Sequence, residues 1–287
     1  MKVFNLSKEL LAYKNSQFKD EKIAFIPTMG ALHKGHASLM RKARNNKMVV
    51  IVSIFVNPTQ FNDHKDYEKY PRTTEHDLML CHGQGVDVVY LPDKEDVYPP
   101  NLDTSLKFDL SGFDKVMEGE FRPGHFKGVC EVVKRLLDLT QPDYLYMGQK
   151  DFQQFMIVGR MIHVLDIKTQ LVVCKTSRER SGLARSSRNT RLSSEGLANA
   201  ANIFKTLCAI QKSILTKEVD RLQAYGLKKL KKYGFETEYI QIIDGATLQE
   251  LESEERATCI VVCVAAWLEG VRLIDNIVIR QGDLILI

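Results

Sequence analysis

Short apolar runs separated by longer mixed segments dominate the first 176 residues of the chain. Runs with so few charges are typical of parallel strands buried on both faces of a sheet. They predict five strands, at residues 23–27, 48–55, 87–92, 144–147 and 171–176. Apolar residues recur at helical spacing over 129–137, and the segment after Gly35 also predicts a helix. This alternation predicts an α/β fold with a Rossmann-like, doubly wound parallel sheet.

The pattern changes after Thr176. A polar, basic stretch, RERSGLARSSRNTR, is followed by a helical pattern that begins near Ser193, a favourable N-cap, and runs towards Leu215. A second amphipathic helix at 222–234 and three strands at 238–244, 258–268 and 272–279 complete the chain. We therefore expect two domains: residues 1–176, with the parallel sheet, and residues 177–287, a smaller α+β C-terminal domain.

Composition and charge exclude several classes of protein. The 287 residues are 44% hydrophobic and 26% charged, and the formal net charge of +4 is too small to indicate a nucleic-acid partner. Six cysteines occur without a Cys-x-x-Cys pair, so neither a zinc ribbon nor a disulfide framework is expected. The N-terminus lacks a signal-peptide core, and the longest apolar run, 259–268, is shorter than the ~20 residues of a spanning helix. We expect a cytoplasmic protein with no membrane partner.

Four unusual polar loops follow predicted strands. Ligands of doubly wound sheets bind beyond the carboxyl ends of the strands, so these loops are the candidates for chemistry. They are PTMGALHKGH at 27–36, NPTQFN at 57–62, GQKDFQQ at 148–154 and SRERSGLARSSRN at 177–189.

The first loop has features of an anion site. Gly30 and Gly35 permit a tight bend, and the chain then enters a helix whose free amides favour a phosphate. The loop is neither a Walker A sequence nor a dinucleotide-binding turn. His33 and His36 are compatible with phosphate contact, with metal ligation or with capping of the turn, and the loop alone leaves these alternatives open.

The later loops are equally ambiguous when each is taken alone. The SSRN segment, 186–189, supplies two hydroxyls and a guanidinium that could close over a polyphosphate, but serine- and arginine-rich runs are usually solvated linkers. Lys150 and Asp151, with Gln153 and Gln154, could be only a helix-start cluster.

Together the segments resemble the nucleotidylyltransferase superfamily, in which an HxGH motif and a KMSKS-like loop bind ATP. A narrower resemblance is to the pantothenate synthetase (pantoate–β-alanine ligase) family. It rests on seven segments in order between Pro27 and Asn276, nearly the whole chain, namely PTMGALHKGH, FVNPTQF, YPRTTEHDL, FRPGHFKGV, GQKDFQQ, GLARSSRN and RLIDN.

The resemblance implies an AMP-forming ligase of pantothenate and coenzyme A biosynthesis. The pantoate carboxylate attacks the α-phosphorus of ATP to give pantoyl adenylate and pyrophosphate, and the β-alanine amine then displaces AMP. Magnesium accompanies ATP, and the family suggests a homodimer. Such chemistry requires preorganised cations and hydrogen-bond donors around phosphate oxygens, which these loops contain.

The resemblance also implies roles for individual residues. His36 is the proton donor, His33 and Lys150 contact phosphates, and Asp151 reaches the ribose. Gln60 and Gln154 bind pantoate, Gln60 and Asn57 bind β-alanine, and Arg122 lies on a mobile flap. The ATP-binding residues are Met29, Gly30, Ala31, Leu32, His33, Lys34, Gly35, His36, Gly148, Gln149, Lys150, Asp151, Ser177, Arg185, Ser186, Ser187 and Arg188.

Asp77, beside His76, matches a position that the family associates with magnesium, and it is a candidate Mg²⁺ ligand by resemblance only. The alternative is an exposed helix carboxylate.

The chain departs from the family pattern in the loop that contains SSRN. Many relatives have Asp and Met where this chain has Ser181 and Arg185, so a carboxylate is lost and a cation gained. Arg185 could attract ATP more strongly or could point outwards. We hypothesise that Arg185→Met raises the KM for ATP in a salt-dependent way. At Ser177, where relatives have Val, we expect only backbone contact with adenine.

Two alternatives remain. Another nucleotidylyltransferase, acting on a different small acid or phosphate, would explain HKGH and SSRN but not NPTQF with KDFQQ. A nucleotide-binding sensor without catalysis would not require His36 and Lys150 to be retained.

Overall fold

The computed structural model describes residues 1–62, 64–214, 216–252, 257 and 259–280. Its strands are β1 (Lys2–Phe4), β2 (Ile23–Thr28), β3 (Val49–Ile54), β4 (Val88–Tyr90), β5 (Tyr144–Gly148), β6 (Gln170–Cys174), β7 (Glu236–Asp244), β8 (Ile260–Leu268) and β9 (Val271–Arg280). Its helices are α1 (Ser7–Gln17), α2 (Lys34–Asn45), α3 (His64–Glu68), α4 (Thr74–Gly83), α5 (Lys94–Val97), α6 (Glu118–Phe121), α7 (His125–Thr140), α8 (Phe152–Val164), α9 (Ser194–Ala200), α10 (Asn202–Ser213) and α11 (Val219–Lys232). Short 3-10 turns cover Pro58–Gln60 and Ser187–Arg191.

The chain divides into two compact units. The first comprises Met1–Leu110, Arg122–Gly148 and Ile157–Cys174, and the second comprises Ser111–Phe121, Gln149–Met156 and the described part of Lys175–Ile287. The second unit thus includes two segments from earlier in the chain, whereas the predicted domains are separated by one cut after Thr176. That cut stays a prediction.

The first unit contains a six-stranded parallel sheet in the order β1-β4-β3-β2-β5-β6. Phe25 and Ile26 in β2 have no exposed surface. Because consecutive side chains of a strand point to opposite faces, the sheet is covered on both sides. α2 packs against β2, β3 and β5, and α7 packs against α1 and β2. The predicted doubly wound parallel sheet is therefore confirmed, with one short strand, β1, that the apolar pattern did not predict.

The strand order fixes where the loops meet. From β2 the chain passes to β3 on one side, whereas β5 pairs with the other side of β2. The order of the strands therefore reverses between β2 and β5, which is the place where doubly wound sheets bind ligands. The loops after β2 and β3 and the end of β5 at Gly148 all lie at the carboxyl edge of this part of the sheet.

The second unit contains an antiparallel sheet in the order β7-β8-β9, which α10 and α11 pack against. Its core includes Leu207 and Leu222 of the helices with Ile242 and Val264 of the sheet. The smaller α+β part is confirmed. The helix predicted from Ser193 towards Leu215 is instead two helices, α9 and α10. Leu215, at the end of that predicted helix, lies outside the described residues. The same is true of Thr258, the first residue of the strand predicted at 258–268.

The six cysteines all lie among the described residues, and none of them forms a disulfide. Burial, with a smaller contribution from Asp77, raises the pKa of the Cys81 thiol to about 12. Cys81 packs with Met40 and Val86 in the core of the first unit, where it remains a protonated, apolar side chain.

Candidate active site

The loop between β2 and α2 turns through two consecutive left-handed residues. Gly30 has φ 77° and Ala31 has φ 48°. Glycine adopts this region freely, but an alanine there costs about 1–2 kcal/mol, so contacts from outside the loop must hold it. The Gly30 amide donates to Thr28 Oγ1 (3.2 Å), which starts the turn directly at the end of β2.

Asp77 of α4 supplies the main contact. Its Oδ2 accepts a hydrogen bond from the Ala31 amide (2.9 Å), and its Oδ1 accepts from the Leu32 amide (2.7 Å) and from Thr73 Oγ1 (3.1 Å). The residue has no exposed surface. The carboxylate therefore fixes the backbone of the loop, and the alternative of an exposed helix carboxylate is wrong.

The two histidines form the start of α2. His33 is the N-cap, and its Nδ1 accepts from the Gly35 amide (3.0 Å). His36 Nδ1 in turn accepts from the His33 amide (3.2 Å), and the two ring centroids are 4.1 Å apart. Because each Nδ1 accepts a backbone N–H, a neutral ring carries its proton on Nε2. The predicted capping geometry is present, and Nε2–H is the donor atom of each neutral ring at this helix N-terminus.

Asn57 and Gln60 follow β3 and are linked to each other. Asn57 Nδ2 donates to Gln60 Oε1 (3.1 Å) and to the Gly128 carbonyl (3.3 Å), while Asn57 Oδ1 accepts from Tyr98 Oη (3.0 Å). Asn57 is 1% exposed and Gln60 is half-buried. Gln60 Nε2 lies 3.2 Å from the Met29 sulfur, so the loops after β2 and β3 are in contact. Asn57 thus fixes the orientation of the Gln60 side chain.

The Gln60 backbone is held by the FRPGHF segment. His125 Nδ1 lies 2.8 Å from the Gln60 carbonyl, and Arg122 donates to the same oxygen at 3.4 Å and contacts His125 Nε2 at 3.1 Å. The start of α7 approaches this turn so closely that a side chain at Gly128 would meet the Thr59 carbonyl. Arg122 and His125 therefore position the NPTQ turn.

The GQKD loop follows β5. The side chains of Lys150 and Asp151 pair at 3.3 Å, and Gln154 is half-buried in the first turn of α8. Gln153 is different, because it is 4% exposed and its side-chain amide accepts from the Glu118 amide and donates to the carbonyls of Phe113 and Val116. Gln153 therefore anchors the segment 111–121.

Residues 177–185 form a small hairpin. The Arg185 amide donates to the Ser177 carbonyl (3.0 Å), and Arg178 pairs with Ala184 across the strands. The turn contains Gly182 at φ 93°, where a side chain would collide with Phe204. Directly after it, the Ser186 hydroxyl accepts from the Arg188 amide (3.3 Å) and caps the 3-10 turn that contains Ser187 and Arg188.

Arg185 lies along this hairpin. Its guanidinium pairs with Glu179 at 3.0 Å, and its Nε donates to the Arg178 carbonyl at 3.1 Å. The side chain is 17% exposed. The added cation is thus balanced by a carboxylate six residues earlier, and it is not the outward-pointing residue that was one of the two alternatives.

The second unit contains an ion pair beneath this hairpin. Arg178 donates to both oxygens of Asp275 (2.6 and 3.0 Å) and to the Asn276 carbonyl (3.2 Å), and its guanidinium stacks 3.8 Å from the centre of the Phe204 ring. Burial raises the pKa of the Asp275 carboxyl, and the Arg178 charge opposes that shift. A bidentate pair of this kind fixes the guanidinium in one orientation.

The predicted residues are divided between the two units. The first unit contains Met29–His36, Asn57, Gln60 and Gly148, and the second contains Gln149–Asp151, Gln154, Ser177 and Arg185–Arg188. Sequence reasoning assigned no role to Arg178, Asp275 and Asn276. The RLIDN segment was the available signal, because an acidic residue inside an apolar strand pattern requires a buried partner.

The residues present do not fit a protein-bound Mg²⁺ at Asp77. Both carboxylate oxygens already accept backbone amides, and in the described part of the chain no group of three or more His, Cys, Asp or Glu side chains is placed to hold a metal ion.

Across the same residues, no helix combines the length and the apolar character needed to cross a bilayer.

Comparison with known proteins gives one family. Residues 2–278 match the family model described as pantoate-beta-alanine ligase. The chain is 42% identical to a pantothenate synthetase of Bacteroides thetaiotaomicron over 98% of the chain and 100% of the relative, and 42% identical to one of Cytophaga hutchinsonii over 91% and 93%.

Two solved structures that resemble this chain belong to the same family. Pantothenate synthetase from Thermus thermophilus superposes with a TM-score of 0.90 at 35% identity, with 98% of this chain and 100% of that one covered. Pantoate-beta-alanine ligase from Francisella tularensis, complexed with beta-gamma ATP and beta-alanine, superposes with a TM-score of 0.81 at 37% identity, with 98% and 99% covered. The chain belongs to the pantoate–β-alanine ligase family.

Proposed function

We propose that the protein condenses pantoate with β-alanine at the expense of ATP, through pantoyl adenylate, and releases AMP and pyrophosphate. The observation that carries this proposal is the loop between β2 and α2, where two histidines present Nε2–H donors at a helix N-terminus on the carboxyl edge of the sheet. It occurs in a chain that matches the ligase family over residues 2–278. The Francisella relative was solved in complex with beta-gamma ATP and beta-alanine, which correspond to two of the three substrates of this reaction.

In the first step a pantoate carboxylate oxygen forms a bond to the α-phosphorus, and the bond to the pyrophosphate oxygen breaks. Negative charge grows on the leaving oxygens, so fixed donors are more useful than a covalent nucleophile. We assign His36 as the donor to the reacting phosphate, with His33 and Lys150 as further phosphate contacts. The ATP-binding residues proposed from the family resemblance are Met29–His36, Gly148, Gln149, Lys150, Asp151, Ser177, Arg185, Ser186, Ser187 and Arg188.

In the second step the β-alanine amine attacks the acyl carbon, the acyl–oxygen bond breaks, AMP leaves with the electron pair, and the new amide nitrogen loses a proton to solvent. Pantoate is held by the amides of Gln60 and Gln154, and Gln60 also lies near the amine. Asn57 supports this step by orienting Gln60, because its Nδ2 donates to Gln60 Oε1. Direct contact between Asn57 and β-alanine stays a prediction.

Arg122 protects the adenylate in this proposal. Its contact with the Gln60 carbonyl ties the FRPGHF segment to the proposed pantoate-binding turn, so movement of that segment would expose the turn to water. Mg²⁺ is proposed to accompany ATP through the phosphates, because Asp77 is committed to the loop backbone. A homodimer and a cytoplasmic location are further predictions from the family.

The proposal is tested with purified protein, ATP, pantoate and β-alanine. AMP and pyrophosphate are followed while each substrate is omitted in turn. We expect AMP release only with all three substrates, and pantoate-dependent exchange of pyrophosphate into ATP without β-alanine. AMP release that does not depend on pantoate would refute the assignment and favour another nucleotidylyltransferase. ATP binding without turnover under any of these conditions would favour a sensor.

A further inference from the structure

Asp275 and Asn276 are adjacent residues of β9 and are almost fully buried, at 4% and 2% exposure. They belong to the RLIDN segment, to which the proposed reaction gives no role. Consecutive residues of a strand point to opposite faces of the sheet, so the two side chains reach different surroundings. Each side chain contacts a different loop that contains proposed ATP-binding residues.

Asn276 holds the GQKD loop. Its Nδ2 donates to the carbonyls of Gln149 (2.9 Å) and Lys150 (2.8 Å), and its Oδ1 lies 3.3 Å from Gln149 Nε2. One side-chain amide thus fixes the two peptide groups that flank Lys150. The direction of the Lys150 side chain depends on the orientation of these peptides.

Asp275 holds the hairpin at residues 177–185. It binds Arg178 through both carboxylate oxygens, and Arg178 also donates to the Gly182 carbonyl (3.1 Å) in the turn of the hairpin. The hairpin leads directly into Ser186, Ser187 and Arg188. The orientation of the hairpin therefore depends on the contact between Asp275 and Arg178.

We infer that Asp275 and Asn276 are positioning residues for ATP. They act through the backbone of Gln149 and Lys150 and through Arg178, and they hold the two loops in a fixed relation within the second unit. This inference rests on the proposed function for the identity of the ligand, but the coupling of the two loops through β9 is independent of it. Displacement of a catalytic loop by about 1 Å costs up to about 10²-fold in rate.

The test compares Asn276→Ala and Asn276→Asp with Asn202→Ala. Asn202 is a matched control because it is 5% exposed, lies in the same unit and donates its side-chain amide to a backbone carbonyl, that of Asn199. The readouts are the KM for ATP and the kcat of pantoate-dependent pyrophosphate exchange, the KM for β-alanine, and the rise in melting temperature on addition of ATP.

We expect Asn276→Ala to lower kcat/KM for ATP by about 10- to 100-fold while the KM for β-alanine changes less than about twofold. Asn276→Asp keeps the size of the side chain but turns a carboxylate oxygen towards two carbonyls, so it should be at least as damaging. Asn202→Ala should lower the melting temperature without changing the KM for ATP. A wild-type KM for ATP in Asn276→Asp would show that the residue only fills space and would overturn the inference.

If Asn276→Ala does not fold, Arg178→Lys tests the other half of the arrangement. It keeps the charge but loses the bidentate contact with Asp275, and we expect about a tenfold rise in the KM for ATP. An unchanged KM would overturn the role of Asp275.

If the wild type shows no pantoate-dependent exchange, the proposed reaction is wrong. The ATP-induced rise in melting temperature still decides the inference, because it should be smaller in Asn276→Ala and Arg178→Lys than in Asn202→Ala.

Discussion

Asp77 Oδ1 accepts a 2.7 Å hydrogen bond from the Leu32 amide, although 45 residues separate them in the chain. The same carboxylate accepts the Ala31 amide, so one buried side chain satisfies two backbone donors of the loop that contains His33. A buried carboxylate with charge-assisted hydrogen bonds to backbone amides contributes more than a neutral contact would. The position of the histidines therefore depends on a residue of another helix.

Asp77→Asn should loosen this loop. The variant side chain has only one acceptor oxygen, and its NH2 group would face a backbone N–H donor. We expect a fall of about 10²-fold in kcat/KM for ATP, on the scale of one lost preorganised contact. The measurement is pantoate-dependent pyrophosphate exchange, with Glu75→Gln, an exposed carboxylate in the same helix turn, as the control.

The same variant separates a loop role from a metal role. If Asp77 acts on the backbone, the Mg²⁺ concentration that gives half the maximal rate stays at its wild-type value in Asp77→Asn. A several-fold increase in that concentration, with full activity restored at high Mg²⁺, would contradict the loop role.

His36→Ala should lower turnover by about 10²- to 10³-fold, because one preorganised donor to the reacting phosphate is lost. The substitution also removes the acceptor for the His33 amide, so capping must be separated from catalysis. His36→Asn retains a side-chain oxygen that is able to accept that amide but lacks a donor at the Nε2 position. Turnover near the wild-type value in His36→Asn, measured by AMP release, would assign His36 to capping alone.

The sequence predicted the sheet and its loops because strand burial and helical spacing are local patterns. Thus β2, β3 and β5 lie within a residue or two of their predicted bounds. The contacts of Asp77, Gln153 and Asn276 were not predictable in this way, because each joins segments far apart in the chain and depends on tertiary packing. The same holds for Arg185, whose partner Glu179 is close in sequence but becomes a neighbour only through the hairpin at 177–185.

Arg185→Met tests whether this cation attracts ATP or holds the hairpin. Since Glu179 balances its charge, we now expect the KM for ATP to rise about two- to fivefold, equally at low and high salt. Glu179→Gln should give a rise of similar size, and the double variant should be little worse than either single one, because both lose the same contact. The salt-dependent rise hypothesised from sequence would instead require Glu179→Gln to lower the KM. Steady-state kinetics at two ionic strengths distinguish the two.

Glu118 and Arg272 form a buried ion pair in the second unit. Arg272 donates to both oxygens of Glu118 (2.7 and 2.9 Å), Tyr239 Oη also donates to Glu118 (2.7 Å), and burial followed by the Glu118 charge raises the Tyr239 pKa well above its usual range. Glu118→Ala would leave this cluster incomplete, and we expect a loss of about 3–5 kcal/mol in the free energy of unfolding.

The only tryptophan in the chain makes this loss measurable locally. Trp267 Nε1 donates to Glu238, which also binds Arg272, so its fluorescence reports on the same sheet during urea unfolding. Glu120→Gln, an exposed carboxylate two residues away, is the control and should change the midpoint little. Equal midpoints for Glu118→Ala and Glu120→Gln would show that the cluster adds nothing to stability.

Asp143 links stability to pH in the first unit. Its Oδ2 accepts from the Ile23 amide (2.9 Å), and its Oδ1 accepts from Lys22 Nζ (2.6 Å). Burial by itself would raise the Asp143 pKa, but these two donors outweigh it and lower the pKa below its usual range. A carboxyl group whose pKa is lowered by folding stabilises the fold at pH values above its pKa in the unfolded chain, which is about 4. This contribution disappears as the pH falls through the lower pKa of the folded state.

Asp143→Asn should therefore reduce the free energy of unfolding by about 1 kcal/mol at pH 7, and the difference from the wild type should shrink below about pH 4. The reason is that the protonated carboxyl and the variant amide are both uncharged. Asp166→Asn is the control, because Asp166 also pairs with a lysine, Lys168, and has a lowered pKa but is 86% exposed. Exposed pairs contribute little, so this variant should follow the wild type at every pH in urea titrations. A constant difference between Asp143→Asn and the wild type from pH 3 to pH 7 would mean that the loss comes from packing, and that the charge of Asp143 does not stabilise the amino ends of β2 and β5.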